Sequence, residues 1–256
     1  PDYRDLFLPE NEGNEEVIFD VQYKVPEFSN SLDNLLEVQM NVAPLLDFVN
    51  SYQMIDGTSI NESPLFDPAN PFENRDPRLH KTVVVPGYMF RGGIVSDSKY
   101  FATGFGFKKY TTYKDDVVQT NILQSEINFI VLRYADILLM YAEAQNEASG
   151  SDASVYDAIN KVRSRAGMPD ITPGLSKEQM REVIRHERRI ELVAEAVYYH
   201  DIRRWRIAEV VMNSNALNSK GEVVQVRSFR PASDYLWPIH EIIIQDNPAL
   251  VQNPGY

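Results

Sequence analysis

Apolar residues change their spacing along this chain at about Asn128. Before that point they come in short runs set between prolines and glycines: VIFDVQY over 17–23, TVVVPGYMF over 82–90 and ATGFGFKKY over 102–110. Runs this short, bounded by turn formers, predict small strands joined by long loops. Beyond Asn128 the spacing becomes helical. The first predicted helix covers 129–148, where Ile130, Ile137, Leu138, Tyr141 and Ala144 form a stripe and Ser149-Gly150 ends it. The second starts at a cap near Asp152, carries Val155, Ala158, Ile159 and Val162, and stops at Gly167 and Pro169. The third follows Ser176, with Gln179 at capping-box spacing, and buries Met180, Val183, Ile184, Ile190 and Leu192 before ending near Ala196. The fourth runs from about Tyr199 to Met212 and gives way to the polar turn NSNALNSKGE.

Short connections make consecutive helices antiparallel neighbours, so the four form two hairpins in succession. Such hairpins resemble tetratricopeptide-like units and need other parts of the chain to cover their open faces. The closing residues 236–256, LWPIHEIIIQDNPALVQNPGY, hold prolines at 238, 248 and 254 that forbid a long helix, and predict a stiff segment wrapping the body. The expected fold is mainly α, with an irregular loop-rich part and a few short strands. Residues 1–128 supply the loops and strands, 129–213 the helical hairpins and 214–256 the tail, within one compact domain.

Composition narrows the function. The 256 residues are 43% hydrophobic, enough for a sizeable core. Acidic residues outnumber basic ones by 37 to 25, and the net charge of −12 argues against nucleic acid or an anionic membrane as partner. The most apolar stretch, FIVLRYADILLMYAEA, is interrupted by Arg133 and Asp136 and falls short of the roughly 20 residues a membrane helix needs. The opening PDYRDLFLPENEG has neither the basic start nor the apolar core of a signal peptide. With no cysteine, disulfides, thiolate metal sites, cysteine nucleophiles and the lipid-bearing cysteine of a bacterial lipoprotein are all excluded from this sequence.

No motif points to catalysis or a cofactor. His80, His186, His200 and His240 are scattered, and Ile190 stands where a second histidine after His186-Glu187 would be needed for zinc. Gly104 and Gly106 alternate with Phe105 and Phe107, which fits a twisted strand and matches no phosphate loop. In the arginine-rich stretch 185–205, Glu187, Glu191, Glu195 and Asp201 recur at helical neighbour spacings. These charges are expected to pair, with Arg188 or Arg189 reaching Asp136 or Glu143 of the first helix. Carboxylates such as Asp67, Asp115 and Asp116 leave a glycosidase pair open on composition alone.

Six blocks, in order, resemble the SusD/RagB family of Bacteroidetes outer-membrane lipoproteins: EEVIFDVQY from Glu15, LLDFVNSYQMIDGTSI from Leu45, FENRDPRL from Phe72, LRYADILLMYAEAQNE from Leu132, INKVRSRAG from Ile159 and ERRIELVAEAVYYHDIRRW from Glu187. The tail, with Pro238, Asn247-Pro248 and the closing QNPGY, completes the series. Ala196 and Tyr198 depart from the pattern, standing where glycine and arginine are expected. The resemblance covers only the C-terminal half of a family member. It implies that a first half, with its lipid-bearing cysteine, further helices and part of the ligand site, is missing, so a fragment of a longer protein is expected.

The resemblance implies capture of an oligosaccharide or polysaccharide at the bacterial cell surface, without bond cleavage, and delivery to a SusC-like TonB-dependent transporter. No cofactor and no nucleic acid are implied. Sugar binding needs aromatic faces for pyranose rings and polar groups for hydroxyls. The family places them in loops of the non-helical part. On that basis the candidates are Tyr23, Phe28, Asn30, Asp33 and Asn34 in the first loop, and Tyr88, Phe90, Arg91 and Tyr100 in the loop from 88 to 100. Tyr23 and Phe28 lead. A peptide- or protein-binding adaptor using the tetratricopeptide-like helices is the alternative.

Overall fold

The computed structural model describes residues 2–40 and 42–256. The N-terminal part holds β1 (Val17–Val21), α1 (Leu46–Ser51), α2 (Arg78–Thr82), β2 (Val83–Val84), β3 (Met89–Phe90), β4 (Gly93–Ile94) and β5 (Gly106–Phe107). It is followed by β6 (Phe129–Arg133), α3 (Tyr134–Ser149), α4 (Ala153–Arg165), α5 (Lys177–Glu191), α6 (Tyr198–Arg204) and α7 (Ala208–Val211). The chain ends with β7 (Asn215–Leu217), β8 (Val223–Val226) and α8 (Glu241–Asp246). The strands form two-stranded antiparallel ladders, pairing β1 with β6, β2 with β5, β3 with β4 and β7 with β8. The fold is mainly helical with a few short strands.

Local signals set the central helices. Asp152 caps α4 by accepting from the Ser154 and Val155 amides, and Ser176 with Gln179 closes a reciprocal capping box on α5. Ala142 of α3, Val155 and Ile159 of α4, and Met180 and Ile184 of α5 then share one buried cluster. Arg188 joins α5 to both hairpins, donating to Asp136 at 2.9 Å and to Asp201 at 3.0 Å. That is the lock expected from the sequence.

Three predicted boundaries are corrected. The third helix, α5, ends at Glu191 and not near Ala196, because the backbone turns left-handed at Ala194, with φ of +63°. Residues 129–133, expected to begin the first helix, form β6, whose pairing with β1 satisfies its backbone and leaves Arg133 extended at the helix entrance. The fourth helix is broken after Arg204, where Arg206 turns the backbone with φ of +56°. The break serves packing: it brings Ile202, Ala208 and Phe229 into one cluster while Arg204 and the Trp205 indole both donate to Glu143, at 2.6 and 2.8 Å.

A buried ion network crosses from the helices into the N-terminal part. Glu187 and Glu191, four residues apart, lie on one side of α5, and the turn that follows the helix brings Glu195 to the same network. Arg78 reaches Glu187 at 2.5 Å and Glu191 at 2.9 Å, and Arg133 reaches Glu191 at 2.6 Å and Glu195 at 2.7 Å. Arg163 pairs with Glu187, Arg165 with Glu191, and Lys109 with Glu195. The glutamates of the arginine-rich stretch thus find their partners in arginines of the earlier blocks and in Lys109.

Glycine at 106 has a steric reason. A Cβ there would lie 2.3 Å from the Tyr100 ring, so the strand can approach that tyrosine only without a side chain. The closing segment folds back on itself. Ile239 and Gln252 exchange hydrogen bonds at 2.8 Å, Asn253 donates to the Trp237 carbonyl, and the Trp237 indole, 71% exposed, donates to the Tyr199 hydroxyl of α6.

Candidate functional site

The loop after β1 is held in place by the stretch 111–128. Asn128 accepts from the Tyr23 amide at 2.9 Å and donates to Asp20 at 2.9 Å. Asn30 forms a backbone bridge with Ser125 and donates from its side chain to the Ile127 carbonyl at 2.8 Å. Asp33 accepts from the Thr112 amide at 2.7 Å and from its hydroxyl at 3.1 Å. Burial raises the Asp33 carboxyl above its usual range, partly offset by these donors and Ser125. Asn30 and Asp33, expected to meet a ligand, fasten the loop, and Asp33 also lines the groove described next.

Between the two segments lies an open groove of about 640 Å³, lined by Pro9, Glu10, Val25, Asp33, Thr112, Lys114, Gln119, Ile122, Gln124, Ser125 and Glu126. That volume is within the range of small-ligand sites. Half of its polar lining is uncommitted. The side chains of Glu10, Lys114, Gln124 and Glu126 make no hydrogen bond or ion pair with the described residues. Val25 contributes an apolar wall from a turn that Lys24 and Phe28 close by pairing with each other. Phe28, at that turn but outside the groove's lining, is 76% exposed, so its ring is open to a ligand. Tyr23 and Asn34 are half-buried, with side chains uncommitted among the described residues.

The second set of candidates lies elsewhere and is engaged. Tyr100 is buried and donates to Glu37 at 2.6 Å; burial and the adjacent carboxylate keep its hydroxyl protonated far above the usual range. Arg91 also reaches Glu37, at 3.1 Å, and holds the Gln119 carbonyl at 2.6 Å and Asn121 at 3.0 Å, bracing the groove from behind. Phe90 is buried with Tyr113 and Val84. Tyr88 belongs to a separate cluster, where its ring lies 4.4 Å from that of His80 and its hydroxyl donates to Glu73 at 2.5 Å. Burial and that carboxylate push Tyr88 up to about 12.

The groove residues Glu10, Lys114, Gln124 and Glu126 were not among the sequence candidates. They sit in stretches without apolar periodicity, and the one available sign was the polar character of 111–126 between two buried ends, Tyr110 and Ile127. Among the described residues no three histidines, aspartates or glutamates converge as a metal site. His80 and His186 bond backbone carbonyls of Phe72 and Ser51, and burial lowers both imidazoles.

A second cavity, of about 530 Å³, is of another kind. Leu32, Leu36, Phe48, Phe129, Tyr198, Tyr199, Ile202 and Val211 make it almost wholly apolar. Such walls offer little to a hydroxylated ligand.

The chain belongs to the SusD family, whose model matches residues 11–256. SusD-like protein P2 of Formosa agariphila is 31% identical over 156 residues, which is 58% of this chain and 30% of that protein. SusD-like protein P25 of the same organism is 28% identical, covering 99% of this chain and 52% of its own length. Among solved structures, a SusD-like carbohydrate-binding protein from Bacteroides fragilis aligns with a TM-score of 0.83 at 31% identity, over 96% of this chain and 56% of that one. Another SusD-like protein from Bacteroides fragilis gives 0.82 at 27% identity, over 99% and 57%. The chain therefore spans less than two thirds of each of these relatives.

Proposed function

We propose that this chain binds an oligosaccharide without cleaving it, at the bacterial outer-membrane surface, and passes it to a SusC-like TonB-dependent transporter. The observation that carries the reading is the groove between residues 23–34 and 111–126, where uncommitted polar side chains stand beside a turn bearing an exposed phenylalanine. Sugar hydroxyls need many donors and acceptors in place, and the pyranose ring needs an apolar or aromatic face; Gln124, Glu126, Glu10 and Lys114 offer the first, Val25 and Phe28 the second. Membership of the SusD family and the likeness to a carbohydrate-binding member support the same reading.

The experiment is affinity electrophoresis and calorimetry against a panel of soluble polysaccharides, with reducing ends assayed in parallel. Saturable binding with no new reducing ends is expected; release of reducing sugar points to an enzyme. Isolation from outer membranes with a large β-barrel partner tests the transport step. The apolar cavity beside α6 favours a second reading, capture of an apolar peptide, and a peptide panel in the same assay decides between them.

A further inference from the structure

The groove is dominated by one sign of charge. Glu10, Asp33 and Glu126 line it, and the recess that shares Glu10, Thr112 and Lys114 with it adds Asp115 and Asp116. Cations do not balance these groups. Arg4 is drawn to Asp115 and the Tyr113 carbonyl, and Lys108 pairs with the same Asp115 at 2.7 Å, so Lys114 is the lining cation with no carboxylate partner among the described residues. Lys24 stands on the turn beside Val25 and outside the lining. The negative field extends past the rim. Glu12 has its carboxyl raised by burial and by the charges of Asp20 and Glu126.

Hydrogen-bond chemistry points the same way as charge. An ionised carboxylate only accepts, so the open oxygens of Glu10, Glu126 and Asp116 call for ligand groups that donate. A sugar hydroxyl donates. A uronate or sulfate oxygen cannot, and it also brings a like charge to within the roughly 8 Å over which charges still act at physiological salt.

We infer that the groove selects neutral oligosaccharides and excludes those bearing uronate or sulfate groups, an inference that rests on the glycan reading above. Neutral hydroxyls satisfy the free carboxylates and Gln124, while an anionic substituent leaves those acceptors unpaired and facing it.

The test uses oligosaccharide arrays in which each neutral backbone is printed beside its sulfated and its carboxyl-oxidised form, followed by calorimetry at about 0.15 M salt. The expected result is binding of a neutral backbone with anionic forms weaker by about tenfold or more. In the Glu10→Gln/Glu126→Gln variant, whose replaced side chains have no partner to lose, the amides keep an acceptor oxygen but not the charge, so the ratio of neutral to anionic affinity falls whether or not the neutral form itself binds more weakly. Equal or tighter binding of the anionic form overturns the inference and leaves the glycan reading standing. An unchanged gap in the double variant overturns it as well. Failure of every glycan to bind overturns the glycan reading, and the inference with it.

Discussion

Arg133 donates from Nη1 to Oε1 of Glu191 at 2.6 Å, with both side chains fully buried. The pair joins the end of β6 to the last turn of α5. Arg78 at 2.9 Å and Arg165 complete the ring of cations around this one carboxylate. Three segments far apart in sequence therefore meet on Glu191, and each guanidinium has carboxylate or carbonyl acceptors for its donors. The network is a fastening of the fold and lies away from the groove.

Replacing Glu191 with glutamine removes the charge these cations face. Breaking a buried pair from one side typically costs about 3–5 kcal/mol, and here Arg78, Arg133 and Arg165 are left with Glu187, Glu195 and Glu16 but without the carboxylate they share. Urea unfolding of Glu191→Gln should show a loss of that size, and a change under about 1 kcal/mol would contradict the role given to the network.

The same network sets the acid limit. Burial pushes the Glu187, Glu191 and Glu195 carboxyls up, but the facing cations outweigh it: Arg78 and Arg163 for the first, Arg133, Arg165 and Arg78 for the second, Arg133 and Lys109 for the third. All three end below the usual 4.5. A depressed folded-state value means that the unfolded chain takes up protons first as pH falls. The stabilisation is therefore full above about 4.5 and is lost below it as these carboxyls protonate. Thermal unfolding followed by circular dichroism should show a melting temperature falling steeply between about pH 4.5 and 2. A flat profile through that window would count against the assignment.

Ala196, where the family pattern leads one to expect glycine, has φ of +62°. A left-handed backbone costs an L-residue about 1–2 kcal/mol, part of which glycine gives back through its greater freedom when unfolded. Ala196→Gly is expected to raise stability by about 0.5–1 kcal/mol in chemical denaturation, and a loss of stability would mean that contacts of the methyl group outweigh the strain.

Gly106→Ala should do the reverse. Its Cβ would press on Tyr100, the buried donor to Glu37 and a neighbour of the groove brace Arg91. Overpacking of this sort costs about 1–3 kcal/mol. An unchanged unfolding midpoint would show that Tyr100 can move aside freely.

Legibility in the sequence followed the range of the forces involved. The caps at Asp152 and Ser176 are local, so α4 and the start of α5 could be placed closely from spacing alone, whereas the end of α5 at Glu191, five residues before the expected Ala196, could not. The strand at 129–133 was hidden because its pairing partner lies more than a hundred residues away and its apolar run continues directly into α3. The break at Arg206 carries no glycine or proline to announce it. In the groove, the loop from 23 to 34 was legible as a site region, while the division of labour within it was not. Asn30 and Asp33 are polar for the sake of Ser125, Ile127 and Thr112, and only the fold brings those partners near. Phe28 is exposed for the converse reason: nothing distant packs on it.

Calorimetric titration of the wild-type protein, Phe28→Ala and Gln124→Ala with the best-binding oligosaccharide measures the role of the groove most directly. Loss of a stacking ring or of one amide at the sugar should weaken binding about tenfold, with unfolding midpoints unchanged because both side chains are exposed and free. Wild-type affinity in both variants would place the ligand elsewhere on the protein and contradict the groove as its site.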